Sequence, residues 1–245
     1  MIDIKTPEEI QIMQKGGKIL AKILRELTKR VKAGIKTEEL DKLAEKLTRK
    51  YNAKPSFKGY QGYPKALCVC INEELVHCLP SKRIIKEGDI VSLDYGIWYK
   101  GLCVDSAVTI GVGKISPEAR KIIKVTKRAL YLGIKRVKAG VHLGDIGFVI
   151  QKYVESQGYS VVRDLSGHGV GKEVHEPPQI LHYGKPKTGI KLKENMTICI
   201  EPMVCLGSHK IKQRKDGSFV TADKSLSAHF EHTILVTRKG YRILT

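Results

Sequence analysis

Two runs of alternating apolar and polar residues, joined by a short turn, constrain this chain more than any other feature. The alternation from Ser92 to Gly111 predicts a β-hairpin with one apolar face that suits a core. A two-residue turn centred on Tyr99-Lys100 would set Asp94 directly opposite Asp105 on the other face. The β-carbons of the two aspartates would then lie about 5 Å apart.

Two carboxylates that face each other destabilise a sheet. Their expected neighbours on the same face are small: Ser92, Gly96, Cys103 and Ala107. We therefore expect a hollow that holds a cation, either one divalent metal ion or two. The alternative is that both aspartates lie at strand ends and face water, as many carboxylates do.

An internal repeat organises the rest of the chain. KRVKAG occurs at 29–34 and again at 135–140, and KEGDIVSLD (86–94) aligns with KENMTICIE (193–201). The pattern of apolar residues predicts helices over 7–31, 37–51, 117–140 and 143–157. It predicts strands over 67–71, 197–204 and 230–236. We expect one domain over 1–245, with two similar halves at about 6–111 and 116–236 related by a pseudo-two-fold axis.

The repeat brings possible ligands to one cleft. It would face Asp94 against Glu201 and His77 against His175. Asp105 joins this cleft, together with His168 from GHGVG and Glu231 from FEHT. Four carboxylates and one imidazole suit a pair of divalent metal ions, which can activate water near neutral pH. Zincin, dinucleotide-binding and P-loop patterns do not fit these spacings.

Charge and cysteine usage limit the other roles. Lysines and arginines outnumber acids 44 to 25, a formal net charge of +19 that suits a polyanionic partner or a solvated surface. No RNP, zinc-finger or KH pattern occurs, so RNA is not the expected substrate, while docking to RNA or a ribosome stays open. The six cysteines lack structural-zinc spacings, so we expect buried, reduced thiols. With no signal peptide or membrane span recognised, a cytoplasmic location and no membrane partner are expected.

In its motifs the chain resembles the methionine aminopeptidases of type I. The resemblance rests on DYGIWYKGLCVDSA, GHGVGKEVHEPP, IEPMV and FEHT, and extends from about residue 6 to 236. It implies an α+β pita-bread fold, with two helix-helix-strand-strand halves around a central antiparallel sheet. It also implies a monomer that removes the amino-terminal methionine of nascent polypeptides with a small second residue.

The resemblance further implies site roles. Two divalent ions (Co²⁺, Mn²⁺, Fe²⁺ or Zn²⁺) would be bridged by Asp105 and Glu231. His168 and Glu201 would complete one metal site, and Asp94 would serve the other. The remaining implied roles are scissile-peptide contact for His77 and His175, proton shuttling for Glu201, and a methionine pocket for Tyr60, Tyr63 and Cys68.

Two positions differ from the usual pattern of this family. Val174 stands where Phe is common, and Ser218-Phe219 stands where a Trp is common, so the pocket is expected to be roomier or Phe219 to substitute. The short spacing between Glu201 and Glu231 leaves no room for the type II insertion. Two alternatives are an X-Pro aminopeptidase or prolidase, and a non-catalytic pita-bread protein that binds RNA or ribosomes.

Overall fold

Capping residues in the sequence determine where the helices begin. The computed structural model describes residues 2–245, and this part of the chain contains the following four α-helices: α1 (Pro7–Arg30), α2 (Thr37–Lys50), α3 (Pro117–Ile134) and α4 (Leu143–Ser156). Thr6 and Glu9 form a capping box at α1, and the Ser116 side chain accepts the Ala119 N–H at α3. Helix α3 ends at Ile134 rather than near residue 140, because the chain turns there and the Val137 N–H returns to Ile134 O.

The strands are short and pair antiparallel. In chain order they are β1 (Lys54–Pro55), β2 (Cys68–Ile71), β3 (Glu74–Val76), β4 (Ile90–Tyr99), β5 (Leu102–Gly111), β6 (Ser160–Val161), β7 (Gly167–Gly169), β8 (Glu176–Ile180), β9 (Thr197–Ile200), β10 (Met203–Cys205), β11 (Ile211–Gln213), β12 (Phe219–Thr221), β13 (Ser227–His229), β14 (His232–Thr237) and β15 (Gly240–Ile243). The predicted strand 197–204 is divided into β9 and β10 at Glu201-Pro202, where proline has no N–H to continue a ladder. The predicted strand 230–236 begins at His232 instead.

The central hairpin β4–β5 forms as predicted, but with a different register. Its turn is centred on Lys100-Gly101, both with positive φ (49° and 82°), as a type I′ turn requires. Asp94 is therefore opposite Ala107, and Asp105 is opposite Gly96. The predicted direct opposition of the two aspartates is wrong. They remain diagonal neighbours on one face, because the register moved by an even number of positions.

The two halves repeat the same local hydrogen bonds. The Gly34 N–H donates to Ile85 O at 2.9 Å, and the Gly140 N–H donates to Leu192 O at 2.8 Å. Isolated antiparallel bridges recur at the matching places, Lys36–Ile84 and His142–Lys191. This agreement supports the predicted internal duplication, but the division of the chain into two related halves stays a prediction.

Each pair of helices covers a core of its own. Helices α1 and α2 pack with β4 and β5 over one apolar cluster, whereas α3 and α4 pack with β9 and β14 over a second. Val108 on β5 packs against both clusters, so the hairpin joins the two halves. The arrangement confirms the expected α+β class. None of the helices in residues 2–245 has the length and apolar composition needed to cross a membrane.

Candidate metal centre

A cavity of about 720 Å³ lies where the two halves meet at the hairpin. Its lining includes every residue that the sequence pointed to: Tyr60, Tyr63, Cys68, His77, Asp94, Asp105, His168, His175, Glu201 and Glu231. The lining also includes Phe57, Leu165 and Met203, which sequence reasoning missed. These apolar residues carry no chemical signature, so nothing along the chain distinguishes them from ordinary core residues.

Four buried carboxylates form the floor of the cavity. Asp94, Asp105, Glu201 and Glu231 are between 2% and 8% exposed. Oxygen atoms of Asp94, Asp105 and Glu231 all lie within 4.8 Å of one another. Burial, and then the neighbouring carboxylates, raise the pKa of Asp94, Glu201 and Glu231 well above the usual range. Burial raises the pKa of Asp105 to about 7.

Polar atoms in this floor lack protein partners. Asp94 Oδ1, Glu201 Oε1 and Glu231 Oε1 are buried and make no hydrogen bond. An orphaned buried carboxylate oxygen costs free energy unless a cation neutralises it. The donor set, oxygens and one imidazole, matches what divalent ions bind. These residues therefore fit a divalent metal.

The sheet holds Asp105 by its backbone. The Thr233 hydroxyl donates to Asp105 O at 2.8 Å and accepts the Asp105 N–H at 2.9 Å. The Ser106 N–H donates to Asp105 Oδ1 at 2.8 Å. A Cβ on Gly96, the cross-strand partner, would collide with Ser56 Oγ and lie 3.2 Å from Asp105 Oδ1. Glycine at this position keeps the hollow open.

Glu201 and Glu231 come from the other half of the chain. Glu201 follows β9, and its N–H donates to His182 Nε2 at 3.0 Å. The Glu231 backbone is tied to β5, because its N–H donates to Ala107 O at 3.0 Å and its carbonyl accepts from Ser106 Oγ at 2.8 Å. These bonds bring the carboxylates of both halves to one point.

Two further buried histidines, His182 and His229, lie behind Glu201. Besides the His182 contact, His229 Nε2 is 3.7 Å from Glu201 Oε2. Burial, and then neighbouring histidines, lower the pKa of both rings to about 3, so both are neutral. Their spacing along the chain gave no signal of this role, since each stands in a different strand or loop.

His168 is oriented toward the carboxylates by its own backbone. Its Nδ1 donates to Gly169 O at 2.8 Å, which leaves Nε2 free, 3.3 Å from Glu201 Oε1. Burial, followed by the nearby His175, lowers the pKa of His168 to about 3. The ring is therefore neutral, the form that ligates metals.

His77 and His175 stand over the cavity and are not tied to the carboxylates. His175 lies between two rings: its centroid is 4.4 Å from that of His168, and its Nδ1 is 3.1 Å from Tyr60 Oη. His77 lies edge-on to Phe219, with 5.9 Å between centroids. Burial lowers the pKa of both histidines.

The predicted methionine pocket adjoins Asp94. Cys68 pairs with Asp94 across β2 and β4. Tyr63 Oη is 3.1 Å from both Leu67 O and Cys78 O, which fixes its ring, and burial raises its pKa. Phe57 packs edge-on against Tyr63 at 6.5 Å. This part of the cavity is aromatic and apolar.

The two unusual positions do not line this cavity, and their effect on its width stays a prediction. Val174 is fully buried in the core beneath α1 and α2, and it does not line the cavity. Ser218 is also fully buried, and its hydroxyl donates to Asp216 Oδ1 at 2.6 Å. Phe219 contacts His77 instead of entering the cavity.

Comparison with known proteins places this chain in a family. Residues 11–238 match the model of metallopeptidase family M24. Methionine aminopeptidase 1 of Bacillus subtilis is 48% identical over 246 residues, covering 100% of this chain and 99% of the relative. A methionine aminopeptidase of Clostridium acetobutylicum is 49% identical over 247 residues, with the same coverage. The crystal structure of methionine aminopeptidase from Thermotoga maritima superposes with a TM-score of 0.98 at 48% identity, covering 100% of this chain and 99% of that one.

Proposed function

Because the chain belongs to metallopeptidase family M24, we propose that it releases the amino-terminal methionine of nascent polypeptides with a small second residue. The fold is the pita-bread fold of the solved relatives, and the resemblance seen in the motifs is confirmed. The chain is a metal-dependent methionine aminopeptidase. The observation that carries the mechanism is the group of four buried carboxylates, three of them with an orphaned oxygen, beside a neutral imidazole.

The proposed centre holds two divalent metal ions. Two groups of possible ligands, one with Asp94 and Asp105 and one with His168, both include Glu231, which supports a bridging role for it. Asp105 would be the second bridge and Glu201 would complete the His168 side. When bound, Co²⁺, Mn²⁺, Fe²⁺ or Zn²⁺ would polarise the scissile carbonyl and lower the pKa of water.

The histidines above the floor are proposed to bind the scissile peptide group. If the Tyr60 hydroxyl donates to His175 Nδ1, the remaining proton of the neutral ring is on Nε2. That N–H can donate to the carbonyl oxygen as negative charge develops. His77 is a second neutral ring at the same cavity. Glu201, beside His168 on the floor of the cavity, is proposed to carry a proton to the leaving amine.

Substrate choice follows from the two ends of the cavity. The free α-amino group of the substrate would be held at the Asp94 side of the metal centre, and an acetylated peptide lacks this group. Tyr63 and Cys68 offer an apolar, polarisable surface that suits an unbranched thioether side chain. The second residue would lie between His77 and His175, where a large side chain has less room.

The test is kcat/KM for five peptides, beginning Met-Ala, Met-Lys, Leu-Ala, acetyl-Met-Ala and Gly-Pro, with and without a chelator. Cleavage of Met-Ala well above the others, abolished by the chelator and restored by Co²⁺ or Mn²⁺, is the expected result. Equal rates on Met-Ala and Met-Lys, or any cleavage of the acetylated peptide, would refute this account of the cavity. Preference for a Gly-Pro peptide would favour the X-Pro alternative, and full activity without metal would exclude the metal mechanism.

Further aspects of the function belong to the same proposal. The chain would act as a single-domain monomer in the cytoplasm, where nascent polypeptides emerge. Its net charge of +19 supports docking to the ribosome, whose surface is rich in phosphate. Co-sedimentation with ribosomes should fall steeply as salt is raised, and salt-independent co-sedimentation would contradict an electrostatic contact.

A further inference from the structure

A cysteine thiol lies beside the metal centre, where the spacing of cysteines along the chain gave no sign of a metal site. Cys199 on β9 pairs with Thr233 on β14 and is fully buried. Its Sγ, a ring nitrogen of His168 and a carboxylate oxygen of Glu231 all lie within 4.8 Å of one another. Sulfur, nitrogen and oxygen donors thus converge on one point at the edge of the cavity.

The Cys199 thiol has few hydrogen-bond partners that would compete with a metal ion. Its sulfur is 3.7 Å from Thr233 Oγ1, a weak contact. That hydroxyl is already committed to the Asp105 backbone, as donor and as acceptor. Glu231 Oε1 is buried without a hydrogen-bond partner, so this corner holds an unsatisfied acceptor beside a weakly bonded thiol. Both groups would gain from a cation placed between them.

We propose that Cys199, His168 and Glu231 form an inhibitory site for strongly thiophilic divalent ions of the Cd²⁺ class, an inference that rests on the proposed function. On binding, the sulfur–hydrogen bond breaks, the proton leaves to solvent and a sulfur–metal bond forms without any redox change. Glu201 Oε1 is unpartnered and 3.3 Å from His168 Nε2; it lies outside this cluster of three, and a rotation of its side chain would bring it to the ion as a fourth donor.

Four protein donors explain why such an ion would inhibit. Tetrahedral sites with four protein ligands are closed, whereas catalytic sites keep a position open for water. The captured ion would also take His168, Glu201 and Glu231 away from the catalytic pair. Hard ions such as Mn²⁺ prefer oxygen ligands and would leave the sulfur protonated. The same side chains therefore discriminate between an activating and an inhibiting class of ion.

Other cysteines do not share this geometry. Cys68 also lines the cavity, but its sulfur does not lie in a cluster of three potential ligands within the described residues. Cys205 is equally buried, on β10, and does not line the cavity. Cys205→Ala is therefore a matched control for the loss of one buried thiol.

The test is titration of the metal-free chain with Cd²⁺, followed by the ultraviolet charge-transfer absorption of a cadmium–thiolate bond. The wild type and Cys205→Ala should both show this absorption, and Cys199→Ser should not. In the Mn²⁺-loaded enzyme, Cys199→Ser should need at least about tenfold more Cd²⁺ for half-inhibition, relative to its own activity without Cd²⁺. Cys199→Ala, checked by circular dichroism, is the second variant if the serine variant does not fold.

Absence of the absorption in the wild type, or its persistence in both Cys199 variants, would overturn the proposal. Failure of the proposed function would look different, because Mn²⁺ would then support no methionine release while the cadmium–thiolate absorption remained. Unchanged Cd²⁺ sensitivity in the Cys199 variants would show that inhibition occurs through the carboxylates alone.

Discussion

A buried lysine near the amino terminus should control both stability and the position of His175. Lys5 Nζ is fully buried and lies 2.7 Å from Glu176 Oε2 and 2.7 Å from Asp3 Oδ2. Glu176 follows His175 directly, and its other oxygen accepts the N–H groups of Lys172 and Glu173. The Lys5–Glu176 pair therefore fastens the amino-terminal segment to the loop that carries His175.

Lys5→Met would remove the cation and leave the Glu176 side chain, only 8% exposed, without its charged partner. Breaking a buried pair in this way costs about 3–5 kcal/mol. For a chain of this size each kcal/mol lowers the melting temperature by about 2–4 °C. The expected decrease is therefore about 6–20 °C. Methionine release should decrease as well, because the loop is less firmly held.

Thermal unfolding of the metal-free protein, followed by circular dichroism, isolates this contribution from metal binding. The double variant Lys5→Met/Glu176→Gln should melt above Lys5→Met, since it no longer buries an unpaired charge. Lys172→Met is the control, because that ammonium is 55% exposed and its surface pairs contribute little. Equal melting temperatures for the Lys5 and Lys172 variants, or a double variant less stable than Lys5→Met, would refute the reasoning.

Three further predictions concern the metal centre. Asp105→Ala should abolish methionine release and lower the bound metal, measured by elemental analysis after dialysis; full retention of metal would contradict a bridging role. His175→Ala should lower kcat by roughly 10²–10³-fold with unchanged metal content, and loss of metal would show that His175 is a ligand. The pKa of Asp105 rises from 3.8 to about 7 in the folded chain, so the metal-free fold binds a proton that the unfolded chain releases. The melting temperature of the metal-free protein should therefore fall as the pH rises from about 4 to 7, and Mn²⁺ should oppose this fall. A melting temperature that rises with pH would show that the carboxylates are paired with cations.

The sequence determined the local structure and the chemical inventory of the site. Thr6 and Ser116 marked the starts of two helices, because capping depends on residues within one turn. Asp94 and Asp105 were placed on one face by alternation alone, even though the register was wrong. Gly101, which takes positive φ at little cost, decided the turn. Each of these properties depends on residues a few positions apart.

Only the tertiary structure decided which distant residues share the centre. Cys199 and Thr233 are cross-strand partners, and Lys5 meets Glu176 across most of the chain length. Neither contact can be predicted from the spacing of its two residues along the chain. Val174 lies in the core rather than in the cavity lining. Periodicity shows which face of a helix or strand is apolar, but only the packing of the two halves determines which residues that face contacts. The same packing determines how deeply the carboxylates are buried and therefore how far their pKa values rise.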